Sequence, residues 1–298
     1  MSRAPIRPRL SQGRSRLAAL LALLAALAVL ASASAAQAKP RVIALTPFTA
    51  NTLANLDVRP LAVGQTVGGS EHISRKLQGV PRLALSHPIG PNLELLVTLY
   101  PKLVLSAPVW RRGNQAIGRL GISVVELDPR RVADVPSATQ RIGALVSKPR
   151  TAAALAADQR AHVAYARAQA KRHPRVLLVL GVGRASYAFM PNSWGGDVVT
   201  QAGGRLITGG LAATDGYARI SDEFVIQQNP DVIIAVPHGN PGDIPRLTSY
   251  LRSNPAWRTT KAARNGRVYV SSDNSLLQAW TSPAQTIGDV QRQFLHNR

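Results

Sequence analysis

One phrase occurs twice in this chain, and the repetition constrains the fold more than any other feature. Asn92-Leu93-Glu94-Leu95-Leu96-Val97-Thr98-Leu99-Tyr100-Pro101-Lys102-Leu103-Val104-Leu105 returns as Ser221-Asp222-Glu223-Phe224-Val225-Ile226-Gln227-Gln228-Asn229-Pro230-Asp231-Val232-Ile233-Ile234. In each copy a helix-capping residue stands two places before a glutamate, a proline follows seven places after it, and an apolar run comes next. That order reads as cap, short helix, stop and buried strand. The copies lie 129 residues apart (223 minus 94), far beyond the roughly 20-to-50-residue periods of solenoids, and so predict two similar lobes. Two lobes imply a cleft, and a cleft is where a ligand binds.

The remaining chain fits that plan. Strand-like and helix-like pieces alternate from Arg41: a strand at Arg41 to Leu45, a helix from about Thr49 to Leu56, a strand at Leu61 to Val63, the first phrase, a helix near Gln115 to Leu120, and a strand at Ser123 to Leu127. After Arg175 the alternation resumes, with a strand to Leu180, helix and strand over Gly195 to Ile207, the second phrase, a helix near Ile244 to Leu251, a strand at Val268 to Val270 and a closing helix over Pro283 to Phe294. Between them strand signals vanish, and the alanine-rich stretch Thr151 to Arg172 predicts one long helix running from lobe to lobe. The expected class is α/β: two similar lobes, each a small parallel sheet flanked by helices, joined by one long interdomain helix. The expected boundaries are a signal peptide over 1–38, an N-terminal lobe over 39–135, the connecting helix within 136–174 and a C-terminal lobe over 175–298.

Composition narrows the setting. Five arginines, the apolar run Leu17 to Ala31 and small residues ending at Ala38 form an export signal cleaved after Ala38, and the run is shorter than the ~20 residues a spanning helix needs. The expected product is extracytoplasmic, soluble and monomeric. With no cysteine, disulfides, thiolate metal sites, a cysteine nucleophile and a lipid-modified cysteine anchor are excluded. Net charge is +21, or +16 once five signal arginines are removed, which suits anionic partners; the basic residues are scattered without interleaved aromatics, so nucleic acid is not expected.

Residues after predicted strands are the ligand candidates: Phe48, His72, Trp110, Arg111, Arg112, Arg184, Tyr187, Trp194, His238 and Trp280. Flat rings suit the faces of large chelates and arginine forks suit their acidic groups. Gly181-Val182-Gly183-Arg184-Ala185-Ser186 follows a strand but lacks the third glycine of a dinucleotide fingerprint. Phosphate-loop, nucleophile-elbow and zinc-protease spacings are absent. No catalytic residue, resident metal or cofactor is expected; a secreted α/β hydrolase relying on an unlocated carboxylate pair, and an interaction module without small ligand, are the alternatives from other classes.

These residues together resemble the extracytoplasmic solute-binding proteins of ABC importers that capture ferric siderophores, cobalamin or haem, the helical-backbone class. The resemblance spans Arg41 to Phe294 and rests on Val42-Ile43-Ala44-Leu45-Thr46-Pro47, Leu61-Ala62-Val63-Gly64, the two glutamate phrases, Ala202-Gly203-Gly204 and Asn265-Gly266-Arg267-Val268-Tyr269. It implies that Glu94 and Glu223 dock to arginines of the permease. Independently, the chain has only four glutamates, Glu71, Glu94, Glu126 and Glu223, and two of them fall at equivalent places in the repeat. An acid in a first helical turn also suits the helix dipole, by about 0.3–1 kcal/mol, yet that effect does not require the same acid in both lobes. Lys102 and Asn51 depart from the family pattern, where acids are usual. The motif Trp110-Arg111-Arg112-Gly113-Asn114 is similar to one in cobalamin-binding members. The basic balance ranks a ferric siderophore first, cobalamin second and haem third, with His72, Tyr187, Tyr217 and His238 as available axial groups for haem.

Overall fold

A computed structural model describes residues 40–65, 73–239, 241–271 and 273–296. The signal segment and His72 lie outside the described residues. The first sheet contains β1 (Val42–Ala44), β2 (Ala62–Gln65), β3 (Arg82–Ser86), β4 (Gly90–Pro91), β5 (Leu103–Ser106) and β6 (Ser123–Glu126), in the order β4-β3-β2-β1-β5-β6. All neighbours are parallel except the β3–β4 hairpin. The second sheet contains β7 (Arg175–Val182), β8 (Ala185–Phe189), β9 (Arg205–Leu206), β10 (Tyr217–Ile220), β11 (Val232–Pro237) and β12 (Val268–Val270), ordered β10-β8-β7-β11-β12 with β9 paired to the start of β7. There β8 runs antiparallel to both β7 and β10.

Each sheet is therefore parallel at its centre and mixed at an edge, a refinement of the purely parallel sheets expected. The Gly181 to Ser186 segment explains one such edge. Gly181 pairs with Ser186 and Val182 with Ala185, leaving Gly183-Arg184 as a two-residue turn with Gly183 at φ 60°. A two-residue hairpin needs positive φ, which glycine supplies without steric cost.

The helices are α1 (Pro47–Asn55), α2 (Leu93–Thr98), α3 (Arg111–Arg119), α4 (Val135–Leu145), α5 (Pro149–Ala168), α6 (Trp194–Gln201), α7 (Asp222–Gln228), α8 (Ile244–Arg252), α9 (Lys261–Arg264) and α10 (Pro283–Val290), the last running into a π-helical turn, Gln291–Leu295. The repeated phrase builds α2 and α7 alike. The Asn92 side chain accepts from the Leu95 amide at 3.0 Å, and the Ser221 hydroxyl accepts from the Phe224 amide at 3.3 Å. Tyr100 and Asn229, just before the prolines, both take left-handed backbone, φ 48° and 45°. The long helix expected over 151–172 is present as α5, and a separate shorter helix, α4, precedes it. The α5 rod starts at Pro149, whose missing N–H is harmless in a first turn, and stops at Ala168, so its 20 residues extend about 30 Å.

Strand alternation distributes apolar side chains to both faces of each sheet. Val42, Ala44 and Leu105 join Val176, Leu178, Val232 and Ile234 in one buried cluster that continues through α1, α4, α5, α6 and α10. Their neighbours Ile43, Leu45 and Val104 fill a separate outer cluster on lobe one, and Leu177, Val179, Ile233 and Ala235 another on lobe two. The lobes thus share one core. Buried polar groups lock the same seam: Gln159 on α5 donates to Thr139 Oγ1 at 3.1 Å and to the Thr281 carbonyl at 2.9 Å, and the Thr281 hydroxyl reaches the Phe48 carbonyl at 3.3 Å. Asp197 on α6 accepts from the Val132 amide of lobe one at 2.6 Å and from Gln201 at 3.0 Å. A carboxylate accepting a buried amide is worth about 1.5–3 kcal/mol, so Asp197→Ala is expected to lower stability by about that amount. Urea unfolding checks it: the midpoint should fall while the denaturant slope stays constant.

Candidate binding cleft

The loops that follow the strands converge on a cleft of about 550 Å³ between the sheets. Its position follows from the parallel arrangement, because ligand sites in such folds form beyond the carboxyl ends of the strands. From lobe one, β1 leads to Thr46 and Phe48, β3 to His87, β5 to Pro108, Val109, Trp110 and Arg111, and β6 to Asp128 and Arg130. From lobe two come Leu180 on β7, Asp215 and Tyr217 at the start of β10, His238 after β11, and Leu277 to Ala279 after β12. A larger groove of about 770 Å³ lies between α5 and α10, away from every strand end. The smaller cleft is the candidate site because both lobes' strand-end loops supply its titratable groups.

Of the sequence candidates, Phe48, Trp110, Arg111 and His238 line this cleft. Phe48 is 1% and Trp110 6% exposed, so both rings are core side chains that offer little surface to the ligand space. Arg112, Arg184, Tyr187, Trp194 and Trp280 are not among its lining residues. Arg184 is consumed by the β7–β8 turn, and Tyr187 pairs opposite Leu180 on β8, beside the cleft. Trp194 begins α6, buried, and donates its indole N–H to the Ser275 carbonyl at 2.8 Å, while Trp280 packs partly buried against the shared core. The sequence reading missed His87, Asp128, Arg130, Asp215 and Gln278. β3 and β10 went unrecognised as strands, and with them the loops that carry His87 and Asp215.

The electrostatics are specific. His87 and His238 reach the cleft from opposite lobes. Burial, then the charge of the facing His87, hold the His238 imidazole below its ordinary 6.5 and keep it neutral. The His238 Nδ1 is buried without a hydrogen-bond partner. Burial and the neighbouring Asp128 push the Tyr217 phenol up to about 12, so it stays protonated. Burial pushes the Asp128 carboxyl above its ordinary value, and the charge of the neighbouring Arg130 opposes that shift. Arg130 and Asp215 meet across the rim at 3.8 Å, both well exposed.

Glu94 and Glu223 lie on the surface in the first turns of α2 and α7. Hydrogen bonds from Ser221 and its own backbone hold the Glu223 carboxyl below the usual range. Among the described residues, no helix is long and apolar enough to cross a membrane.

With this geometry the chain matches the family model described as periplasmic binding protein over residues 42–274. It belongs to that family, which is one of binding proteins and not of enzymes. It is 30% identical over 247 residues to a cobalamin-binding protein of Halobacterium salinarum, an alignment covering 80% of this chain and 64% of that protein. To the high-affinity heme uptake system protein IsdE of Staphylococcus aureus it is 25% identical over 235 residues, 77% of this chain and 78% of that one. The fold is shared with an ABC transporter substrate-binding protein of Listeria monocytogenes, TM-score 0.73 at 22% identity, covering 87% of this chain and all of that one.

A neutral, shielded Tyr217 has a direct optical signature. The alkaline difference titration of wild type minus Tyr217→Phe is expected to show one phenol ionising near pH 12; ionisation near the ordinary value of 10 would mean the ring is solvated.

Proposed function

We propose that this protein is the extracytoplasmic solute-binding component of an ABC importer, and that it carries a metallated tetrapyrrole, a haem or a corrinoid, in the interlobe cleft. The observation that carries this reading is the placement of two imidazoles, His87 and His238, one from each lobe, on the same cleft. Neutral imidazole is a favoured axial ligand of macrocycle-bound metal, and the lowered pKa of His238 keeps its lone pair free. The protonated Tyr217 is poorly suited to bind metal as phenolate and well suited to donate a hydrogen bond. Phe48, Leu85, Leu180 and Leu277 give the cleft apolar walls that suit a flat ring. The relatives whose names state cobalamin or heme support the same class, and the export-type amino terminus supports the location.

A ferric siderophore, ranked first on overall charge, is the second reading, favoured by Arg111 and Arg130. Asp128 and Asp215 stand among those arginines and offset them locally, so the strongly basic total of the chain is not concentrated in the cleft. Glu94 and Glu223 are proposed as the acids that engage cations of the permease: each is exposed, each starts a capped helix, and the two are equivalent in the repeat.

Titrating the protein with haemin, cobalamin and a ferric triscatecholate, followed by tryptophan fluorescence and visible absorption, tests the ligand class. Haemin or cobalamin is expected to bind, with His87→Ala and His238→Ala each weakening binding and altering the ligand spectrum; binding of the triscatecholate alone would overturn the reading. Glu94→Ala and Glu223→Ala are expected to leave affinity unchanged and to reduce cellular uptake of the ligand, whereas lost affinity would assign these acids to the cleft.

A further inference from the structure

We infer that Gly113 and Asn114, neither of which lines the cleft, are the positioning residues of its lobe-one wall, and that they set where His87 and Trp110 stand. The inference rests on the cleft being the ligand site. Two of the four lobe-one segments that line the cleft are at issue: the β3–β4 hairpin turn, which carries His87, and the run from β5 into α3, which carries Pro108 to Arg111. Neither loop is held by a strand ladder at the point where it meets the ligand space.

The first turn of α3 clamps both. A Cβ built on Gly113 would lie 1.8 Å from the Ile89 carbonyl oxygen and 3.0 Å from its carbon, so the hairpin backbone rests directly on this helix and only a residue without a side chain leaves room. Gly90, at φ 91°, closes the same contact from the other side, with Trp110 Cβ 3.4 Å from the position its own Cβ would take. The hairpin is thus wedged between the Gly113 backbone and the Trp110 side chain. Asn114, the next residue, is 6% exposed and fastens the second loop. Its Nδ2 donates to the Ala107 carbonyl at 2.9 Å and to Glu126 Oε1 at 2.7 Å, and its Oδ1 accepts from the Ser106 hydroxyl at 2.6 Å. The end of β5, the end of β6 and the start of the Trp110 loop are therefore tied through one amide. Buried networks of this kind fix geometry when every member is satisfied. The sequence Trp110-Arg111-Arg112-Gly113-Asn114 thereby has a physical reading: one side chain for the wall, one backbone position that admits the hairpin, one amide that holds the loop.

The cysteine-free chain permits a direct test. His87→Cys and His238→Cys in the otherwise native protein give a unique pair of nitroxide sites, and their distance distribution by pulsed electron resonance reports the wall without any ligand. Gly113→Ala is expected to shift and broaden that distribution. Gly118→Ala, on the same helix with nothing within 4 Å of its added carbon, is expected to leave it unchanged and so controls for helix propensity. Asn114→Ala, which inserts no atom, is expected to act in the same direction as Gly113→Ala. In the histidine-bearing protein, Gly113→Ala and Asn114→Ala should weaken haemin binding by roughly 10- to 100-fold, the range for residues that orient a metal ligand, and should move the haemin spectrum toward single-histidine ligation. Unchanged label distances in both variants would overturn the inference, whatever binds. Failure of wild type to bind haemin would instead count against the proposed function, with the label distances still deciding the role of Gly113 and Asn114.

Discussion

The structure depends on a single apolar core that does not stop at the lobe boundary. Val42 and Ala44 of the first sheet and Val176, Leu178, Val232 and Ile234 of the second belong to one cluster, closed by α1, α4, α5, α6 and α10. Separating the lobes would expose that surface to water, at about 25 cal/mol for each Å² of apolar area. Gln159, Thr281 and Asp197 bridge the same seam through buried hydrogen bonds, so opening it would also strand polar groups in a dry interior. The cleft is consequently preformed, and a ligand entering it meets walls already ordered, which limits the reorganisation cost of binding.

The repeat was the most legible part of the sequence because its signals are local. Caps, prolines and β-branched runs act over a few residues, and they located α2 with β5 and α7 with β11. Even the left-handed residue before each proline is common to both copies, although nothing in Tyr100 announces it. β3 and β10 were illegible for the opposite reason. Arg82 to Ser86 and Tyr217 to Ile220 mix arginine with apolar residues and carry no β-branched run, and their place is decided by pairing with β2 and β8, which their own residues do not announce.

The same distinction sorts the site. Residues directly after well-marked central strands, Phe48, Trp110, Arg111 and His238, reach the cleft. Aromatic residues chosen for their type did not follow: Trp194 and Trp280 fill core space near the seam, where their area matters more than their faces. His87, Arg130 and Asp215 are polar residues in loops, and nothing in their immediate context separates them from many other surface residues. Only the fold brings them together. The scattered arginines illustrate a related limit, since a total of +21 says nothing of the local pairing of Arg130 with Asp215.

The attachment of β10 has a consequence for remodelling. This strand is held through β8 as an antiparallel ribbon at the margin of the second sheet, outside the parallel centre formed by β7, β11 and β12. Asp215 and Tyr217, which furnish one side of the cavity, therefore ride on a flap whose approach segment can be lengthened or shortened without threading a crossover through the interior. A designer seeking to admit a bulkier guest would graft new lengths there, leaving the shared hydrophobic hub intact.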